Sequence, residues 1–283
     1  MPESPASTAP GLTRDRCPPY PPAISPPGGR SMELQKVLVT GMSGLIGSAV
    51  RRQLEGKYTL RALNRRPLSG VDCHQGDIAD LDSILPAFEG QDAVVHLAAF
   101  LGDDWEKVLK HNLLGTYNVF EAARQAGVKR IVYASSGTAV IGWEKHPPYS
   151  DLAAGRYDQV PSVWPLITDQ APIYPGGLYG CSKVWGEALA RHYAETYHLS
   201  IFCLRLGRVN PENRPTQPRE FGAWCSQRDA AQIVEKCLAA PADLRFEIFY
   251  VASDNRWAYR SLANARRLIG FAPQDSAEDY RQD

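Results

Sequence analysis

The sequence has no excess charge of either sign. Lys plus Arg and Asp plus Glu each number 31 in 283 residues, so the formal net charge is zero. A nucleic-acid scaffold needs a basic surplus to meet the phosphates, so that partner is not expected, although a local basic pocket remains open. No apolar run approaches the roughly 20 residues that span a bilayer, so no membrane partner is expected either. The six cysteines, Cys17, Cys73, Cys181, Cys203, Cys225 and Cys237, include no Cys-x-x-Cys pair. That spacing excludes a zinc ribbon and a thioredoxin-type dithiol, and no metal is expected. Scattered thiols in a chain this long fit a reducing, cytoplasmic compartment better than a disulfide framework. What is present is an ordinary globular balance, 44% apolar, 22% charged and 10% aromatic. It is enough to bury a core.

The first 31 residues stand apart. Nine of the 22 prolines lie there, with Pro18-Pro19-Tyr20-Pro21-Pro22 at the densest point. Proline fixes φ and removes a donor, so 1–31 is expected to be an extended or disordered tail. It has no apolar h-region of a signal peptide. A polyproline ligand and an inert extension preceding Met32 are the two readings.

From Lys36 onward, short apolar runs alternate with helical patterns. Strands are predicted at 36–40, 59–63, 93–97, 130–134, 201–205 and 246–251. Helices are predicted at about 80–89, 104–126, 178–197, 229–239 and 260–269. Near-continuous apolar strands are those buried on both faces. Alternating βα units imply an α/β fold, a Rossmann-type doubly wound parallel sheet. The expected organisation is a dinucleotide-binding domain over 32–205, interrupted by an insertion at 143–177. A small substrate-binding region over 206–283 follows, whose strand 246–251 returns to the sheet. The insertion is rich in Pro, Gly and Tyr and should be a long loop or small subdomain.

Gly41-Met-Ser-Gly44-Leu45-Ile46-Gly47 falls between the first strand and the first helix. Gly41 permits the tight turn, Gly44 lets backbone approach a pyrophosphate, and Gly47 lets the helix pack close to the sheet. The free N–H groups of the helix start then face the phosphates. The second strand ends in Asn64-Arg65-Arg66, where an acidic residue would favour NAD. Two guanidiniums there suit the 2′-phosphate of NADP, which is slightly favoured over NAD. A merely solvated Arg pair is the alternative. Asp77, in Gly76-Asp77-Ile78, can accept from the adenine amino group.

Tyr179 and Lys183 are four residues apart on a predicted helix and share a face. A free phenol titrates near ~10, and a neighbouring ammonium and an oxidised nicotinamide favour the phenolate. Tyr179 is then placed to take a proton from a hydroxyl while hydride leaves its carbon. Ser136 ends a strand on the same sheet edge and can orient the reacting oxygen. His96 reads as a structural residue, and Cys181 is assigned no chemistry.

These motifs, in this order over about residues 36–275, resemble the extended short-chain dehydrogenase/reductases, the NAD-dependent epimerase/dehydratase family. The resemblance rests on Thr40–Gly47, Gly76-Asp77-Ile78, His96-Leu97-Ala98-Ala99, Asn112, Tyr133–Ser136, Tyr179-x-x-x-Lys183 and Leu204–Arg208. It implies that Ser136, Tyr179 and Lys183 are catalytic, with Ser136 preferred over Ser135. It further implies that Asp77 and Ile78 flank the adenine, that Leu97, Ala98 and Ala99 line the cofactor, and that Asn112 holds the geometry from the central helix. A homodimer through helix faces at 104–126 and 178–197 is also implied. The C-terminal part is most similar to the short uronate dehydrogenases, and Arg219 falls where that subgroup grips a substrate carboxylate. Gly137, Thr138, Leu101 and Arg208 depart from the subgroup's substrate contacts, with Gly137, Thr138 and Arg208 kept as substrate-binding candidates. The 43-residue interval from Ser136 to Tyr179 exceeds the family's usual spacing. Its aromatics Trp143, Tyr149, Tyr157 and Trp164 would form a pocket wall, or else pack on one another.

Three functions stay open from the sequence. The first is an NAD(P)-dependent oxidoreductase acting on a small sugar-like or carboxylated alcohol or carbonyl. The second is a nucleotide-sugar epimerase or dehydratase with tightly bound NAD. The third is a non-catalytic dinucleotide sensor, which would have no need of the proton relay.

Overall fold

The computed structural model describes residues 32–281, so the expectations for the proline-rich tail lie outside the described residues. The strands are β1 Lys36–Thr40, β2 Thr59–Asn64, β3 Asp72–Gln75, β4 Ala93–His96, β5 Arg130–Ser136, β6 Ser200–Leu206 and β7 Phe246–Val251. They form one sheet in the order β3-β2-β1-β4-β5-β6-β7, with every pairing parallel. The helices are α1 Leu45–Leu54, α2 Leu81–Phe88, α3 Trp105–Lys107, α4 Gly115–Gln125, α5 Tyr149–Ala154, α6 Gly177–Thr196, α7 Glu220–Ala223, α8 Gln227–Leu238 and α9 Ala263–Ile269.

Strand side chains alternate between two faces, and so does the core. Val37 and Val39 of β1 join Val95, Val132, Phe202 and Leu204 under α1 and α8. Leu38, between them, joins Val94, Ile131 and Ile201 under α2, α4 and α6. The doubly wound sheet expected from sequence is therefore what forms, with β7 returning to its edge.

Three details differ from the sequence expectation. β3 went unseen because Asp72-Cys73-His74-Gln75 has no apolar run, and its ladder to β2 is what makes it a strand. The helix expected over 104–126 is broken into α3, a wider π-helical turn at Val108–Leu114, and α4. The helix expected from 260 begins at Ala263, because Arg260 is extended and bridges to Ile167. The insertion is an ordered excursion holding a 3₁₀ turn at Ile141–Lys145, α5, and a further turn at Tyr157–Gln159.

Candidate active site

The sheet order reverses between β1 and β4, and the strand C-termini there open into a cleft of about 1270 Å³. Open α/β sheets place ligands at such a reversal. The glycine turn forms its floor. Gly41 has φ +71°, and a Cβ there would lie 3.0 Å from the Ala98 nitrogen. A Cβ on Gly47 would lie 2.6 Å from Met42 Cα, whereas one on Gly44 would meet only the Gly41 oxygen, at 3.3 Å. Gly44 thus leaves backbone open to the cleft, and no side chain caps α1. Asn64 is buried on the cleft wall with neither its amide nitrogen nor its amide oxygen hydrogen-bonded. An uncapped helix start, a cradle free of Cβ atoms and an orphaned amide fit a dinucleotide.

Of the residues expected to hold it, all but Asn112 line the cleft. Leu45 and Ile46 follow the turn, Arg65 and Arg66 end the β2 segment, Ile78 lies beside Asp77, and Leu97, Ala98 and Ala99 follow β4. Burial pushes the Asp77 carboxyl up. The Ala79 N–H, Lys110 at 3.4 Å and His111 at 3.7 Å outweigh it and hold the group below its ordinary value. Thr40 Oγ1 accepts from the Leu97 and Ala98 N–H groups at 3.2 Å and so fixes that wall.

Tyr179 and Lys183 come from the first two turns of α6. Asp103 seats this start by accepting from the Tyr179 N–H at 3.0 Å. Gly177, with φ +68°, leaves the room it needs, since a Cβ would lie 2.6 Å from Asp103 Oδ2. Lys183 is buried, donates to the Ala134 carbonyl at 2.8 Å, and sits 5.5 Å from the Tyr179 ring centre. Burial lowers its ammonium to about 8, against the pull of Glu187 one turn on. Burial raises the Tyr179 phenol to about 12, and its hydrogen bond with Ser136 pulls the other way. The lowering expected from sequence is therefore not met by the protein alone, because desolvation of the phenolate wins. The Ser136 hydroxyl faces the cleft and accepts from the Thr138 N–H at 3.1 Å. The Ser135 hydroxyl is turned inward to Glu187 Oε1 at 2.6 Å.

Gly137, Thr138, Arg208 and Arg219 line the far end. Arg219 is not a free fork, however. Its Nε and Nη2 donate to Glu144 Oε2 and Oε1 at 2.6 and 2.8 Å. Arg208 is mostly exposed, with Nε 3.4 Å from Glu220. Asn112 does not reach the cleft; it is buried and clamps the backbone of Phe100, accepting at 2.8 Å and donating at 2.9 Å. The insertion aromatics are not on the cleft wall. Trp143 packs edge-on to Tyr149 and Tyr174, and Tyr157 and Trp164 both stack on Trp257. Sequence reasoning missed Glu144 and Arg260. Arg260 lines the cleft, and the missing Cβ of Gly137 makes room for it, since one would lie 2.5 Å from its Nη1. No local pattern marks either residue, because their pairing spans 116 positions.

A phenol and an ammonium beside a dinucleotide cradle define an NAD(P)-dependent oxidoreductase of the short-chain dehydrogenase/reductase type. Residues 37–232 match the NAD dependent epimerase/dehydratase family, and the chain belongs to that family. It is 32% identical to the NAD-dependent glucose-6-phosphate dehydrogenase of Haloferax volcanii, over 87% of this chain and 95% of that one. It is 31% identical to the L-arabinose 1-dehydrogenase (NAD(P)(+)) of the same organism, over 86% and 98%. Among solved structures, the uronate dehydrogenase from Agrobacterium tumefaciens superposes with a TM-score of 0.75 at 30% identity, covering 88% of each chain.

Proposed function

We propose that the protein is an NAD(P)-dependent dehydrogenase of a monosaccharide or a close derivative, removing hydride from a carbon that bears a hydroxyl. The observation that carries this reading is the convergence of Ser136, Tyr179 and Lys183 on a cleft that continues past them to Thr138, Arg219 and Arg260. The relatives named for a sugar, a sugar phosphate and a uronate support the substrate class.

The bound dinucleotide supplies the hydride acceptor. Gly41, Gly44, Gly47 and the α1 start hold its phosphates, Asp77 meets the adenine side, and Lys183 reaches toward its inner ribose. Ser136 donates to or accepts from the reacting oxygen and so fixes it against Tyr179. Tyr179 takes the hydroxyl proton. Lys183, protonated below about pH 8, is the nearby cation that favours the phenolate. Arg65 and Arg66 favour NADP over NAD by pairing with its 2′-phosphate. Exposed Trp105, Leu109, Leu114, Tyr117 and Leu178 support a homodimer through α3, α4 and α6, which sedimentation of the holo-protein tests.

The test is reduction of NAD or NADP by purified protein offered aldoses, aldose phosphates and uronates. Turnover with freely exchanging dinucleotide is expected. Dinucleotide that stays bound through purification, without turnover of free sugars, moves the reading to an epimerase.

A further inference from the structure

We propose that Glu144 is a specificity-determining residue that reserves the far end of the cleft for an uncharged, hydroxylated sugar and disfavours a carboxylated one. The proposal rests on the sugar-dehydrogenase reading above.

A guanidinium edge with two parallel N–H groups is the natural partner of a substrate carboxylate. On Arg219 that edge is already filled by a carboxylate of the same chain, both oxygens engaged. Glu144 Oε1 also accepts from Arg260 Nη2 at 2.9 Å and from the Tyr259 hydroxyl at 2.7 Å. Its side chain is only 10% exposed. Four donor groups on three residues, from two separate segments, therefore hold it. Burial pushes its carboxyl up, but Arg219 and Arg260 outweigh that and keep it below its ordinary value, hence charged at neutral pH.

The segment that delivers Glu144 is itself fixed. The Gly142 N–H donates to the Tyr174 carbonyl at 2.8 Å, and a side chain on Gly142 would overlap the Tyr174 ring. Trp143 Nε1 donates to the Pro172 carbonyl at 3.0 Å. The long Ser136–Tyr179 interval thus brings a carboxylate, itself outside the cleft lining, onto two arginines that line the far end.

Arg219 and Arg260 together still outnumber Glu144 in charge. Arg219 has, however, spent its Nε/Nη2 edge on Glu144, and Arg260 Nη2 donates to both Glu144 and the Gly137 carbonyl, so the one two-donor edge left for a ligand is the outer Nη1/Nη2 edge of Arg219, whose charge Glu144 already offsets. An entering carboxylate must displace Glu144 and strand a buried charge, or else bind the outer side of these guanidiniums with Glu144 as a like charge behind them. Both are costly. A hydroxyl needs only single donors and acceptors. Two stand unpartnered and buried on this wall, Arg260 Nε and Thr138 Oγ1. Buried polar atoms left without partners in the protein are fitted to partners on a ligand.

The experiment compares kcat/KM for matched pairs, D-glucose against D-glucuronate and D-galactose against D-galacturonate, at saturating dinucleotide. Wild type and Glu144→Gln are measured side by side, with Tm and dinucleotide affinity checking that the variant is folded. Glutamine keeps an acceptor for Tyr259 and Arg260 but removes the charge. Wild type should favour the neutral sugar by about tenfold or more, and Glu144→Gln should move the ratio toward the uronate by about tenfold or more, mainly through uronate KM. A wild-type preference for uronates overturns the proposal even if the variant does not fold. An unmoved ratio in a folded variant that turns over sugars also overturns it, while leaving the dehydrogenase reading intact. Absence of turnover with all four sugars overturns the proposal, and the dehydrogenase reading falls with it only if aldose phosphates are not turned over either.

Discussion

At the residue scale, the proposed chemistry sets burial against charge. Tyr179 and Lys183 lie one turn apart on α6, and burial moves each toward its neutral form, the phenol upward and the ammonium downward. Their spacing of four and the strand-terminal Ser136 were legible because hydrogen-bond reach on a helix face is a local property. The Glu144–Arg219 pair was not, because nothing local to either residue specifies the other. Arg65 is the second point where one side chain is proposed to decide an outcome. Arg65→Ala should weaken NADPH binding by about tenfold or more and leave NADH nearly unchanged, read by fluorescence titration of both. An equal loss of both would return Arg65 to a solvated loop.

His96 is a residue whose role is structural. Thr40 Oγ1 accepts from two backbone N–H groups, so its own proton goes to His96 Nδ1 at 2.8 Å. Nε2 then carries the ring proton toward Thr116 Oγ1 at 3.3 Å, and the imidazole is neutral. Burial, helped by the charge of Lys183, lowers it to about 3.

At the scale of elements, α6 is aimed by a buried ion pair one turn beyond Lys183. Arg205 of β6 donates to both oxygens of Glu187, at 2.9 and 2.8 Å, and to the Tyr250 hydroxyl at 3.0 Å. Ser135 donates to the same carboxylate. The pair therefore ties α6 to β5, β6 and β7 together. Glu187→Ala leaves a buried guanidinium without its anion and should cost about 3–5 kcal/mol in urea unfolding. A loss below about 1 kcal/mol would show that the pair does not hold the helix. The strands and main helices were legible from their periodicity. β3 and the π-helical turn were not, since one depends on its ladder to a neighbour and the other has the same side-chain pattern as a regular helix.

At the scale of the whole molecule, the parallel order follows from alternating βα units, and the cleft follows from the order's reversal between β1 and β4. The cluster at the far end of the cleft draws on three distant stretches, the Ile141–Lys145 turn, the start of α7 and the 259–260 segment, which is why it was invisible in sequence. Stability against pH is also a property of the whole fold. Between about pH 6.5 and about 3 an unfolded His96 binds a proton that the folded one refuses. Stability is therefore unaffected by this group above the window and falls as pH drops through it. By pH 5 the loss from this group should be about 2 kcal/mol, read by urea unfolding at a series of pH values. His96→Gln should flatten that slope, and an unchanged slope would place the acid sensitivity elsewhere.

The proposed mechanism requires Tyr179 to accept the hydroxyl proton, while a bound dinucleotide would supply the hydride acceptor. Its most direct test is the rate of dinucleotide reduction by a turned-over sugar in wild type and Tyr179→Phe, with dinucleotide affinity measured on both. A rate lower by about 10²–10⁴ in the variant, with affinity nearly intact, is expected. Equal rates, or loss of rate only in step with loss of dinucleotide binding, would contradict it.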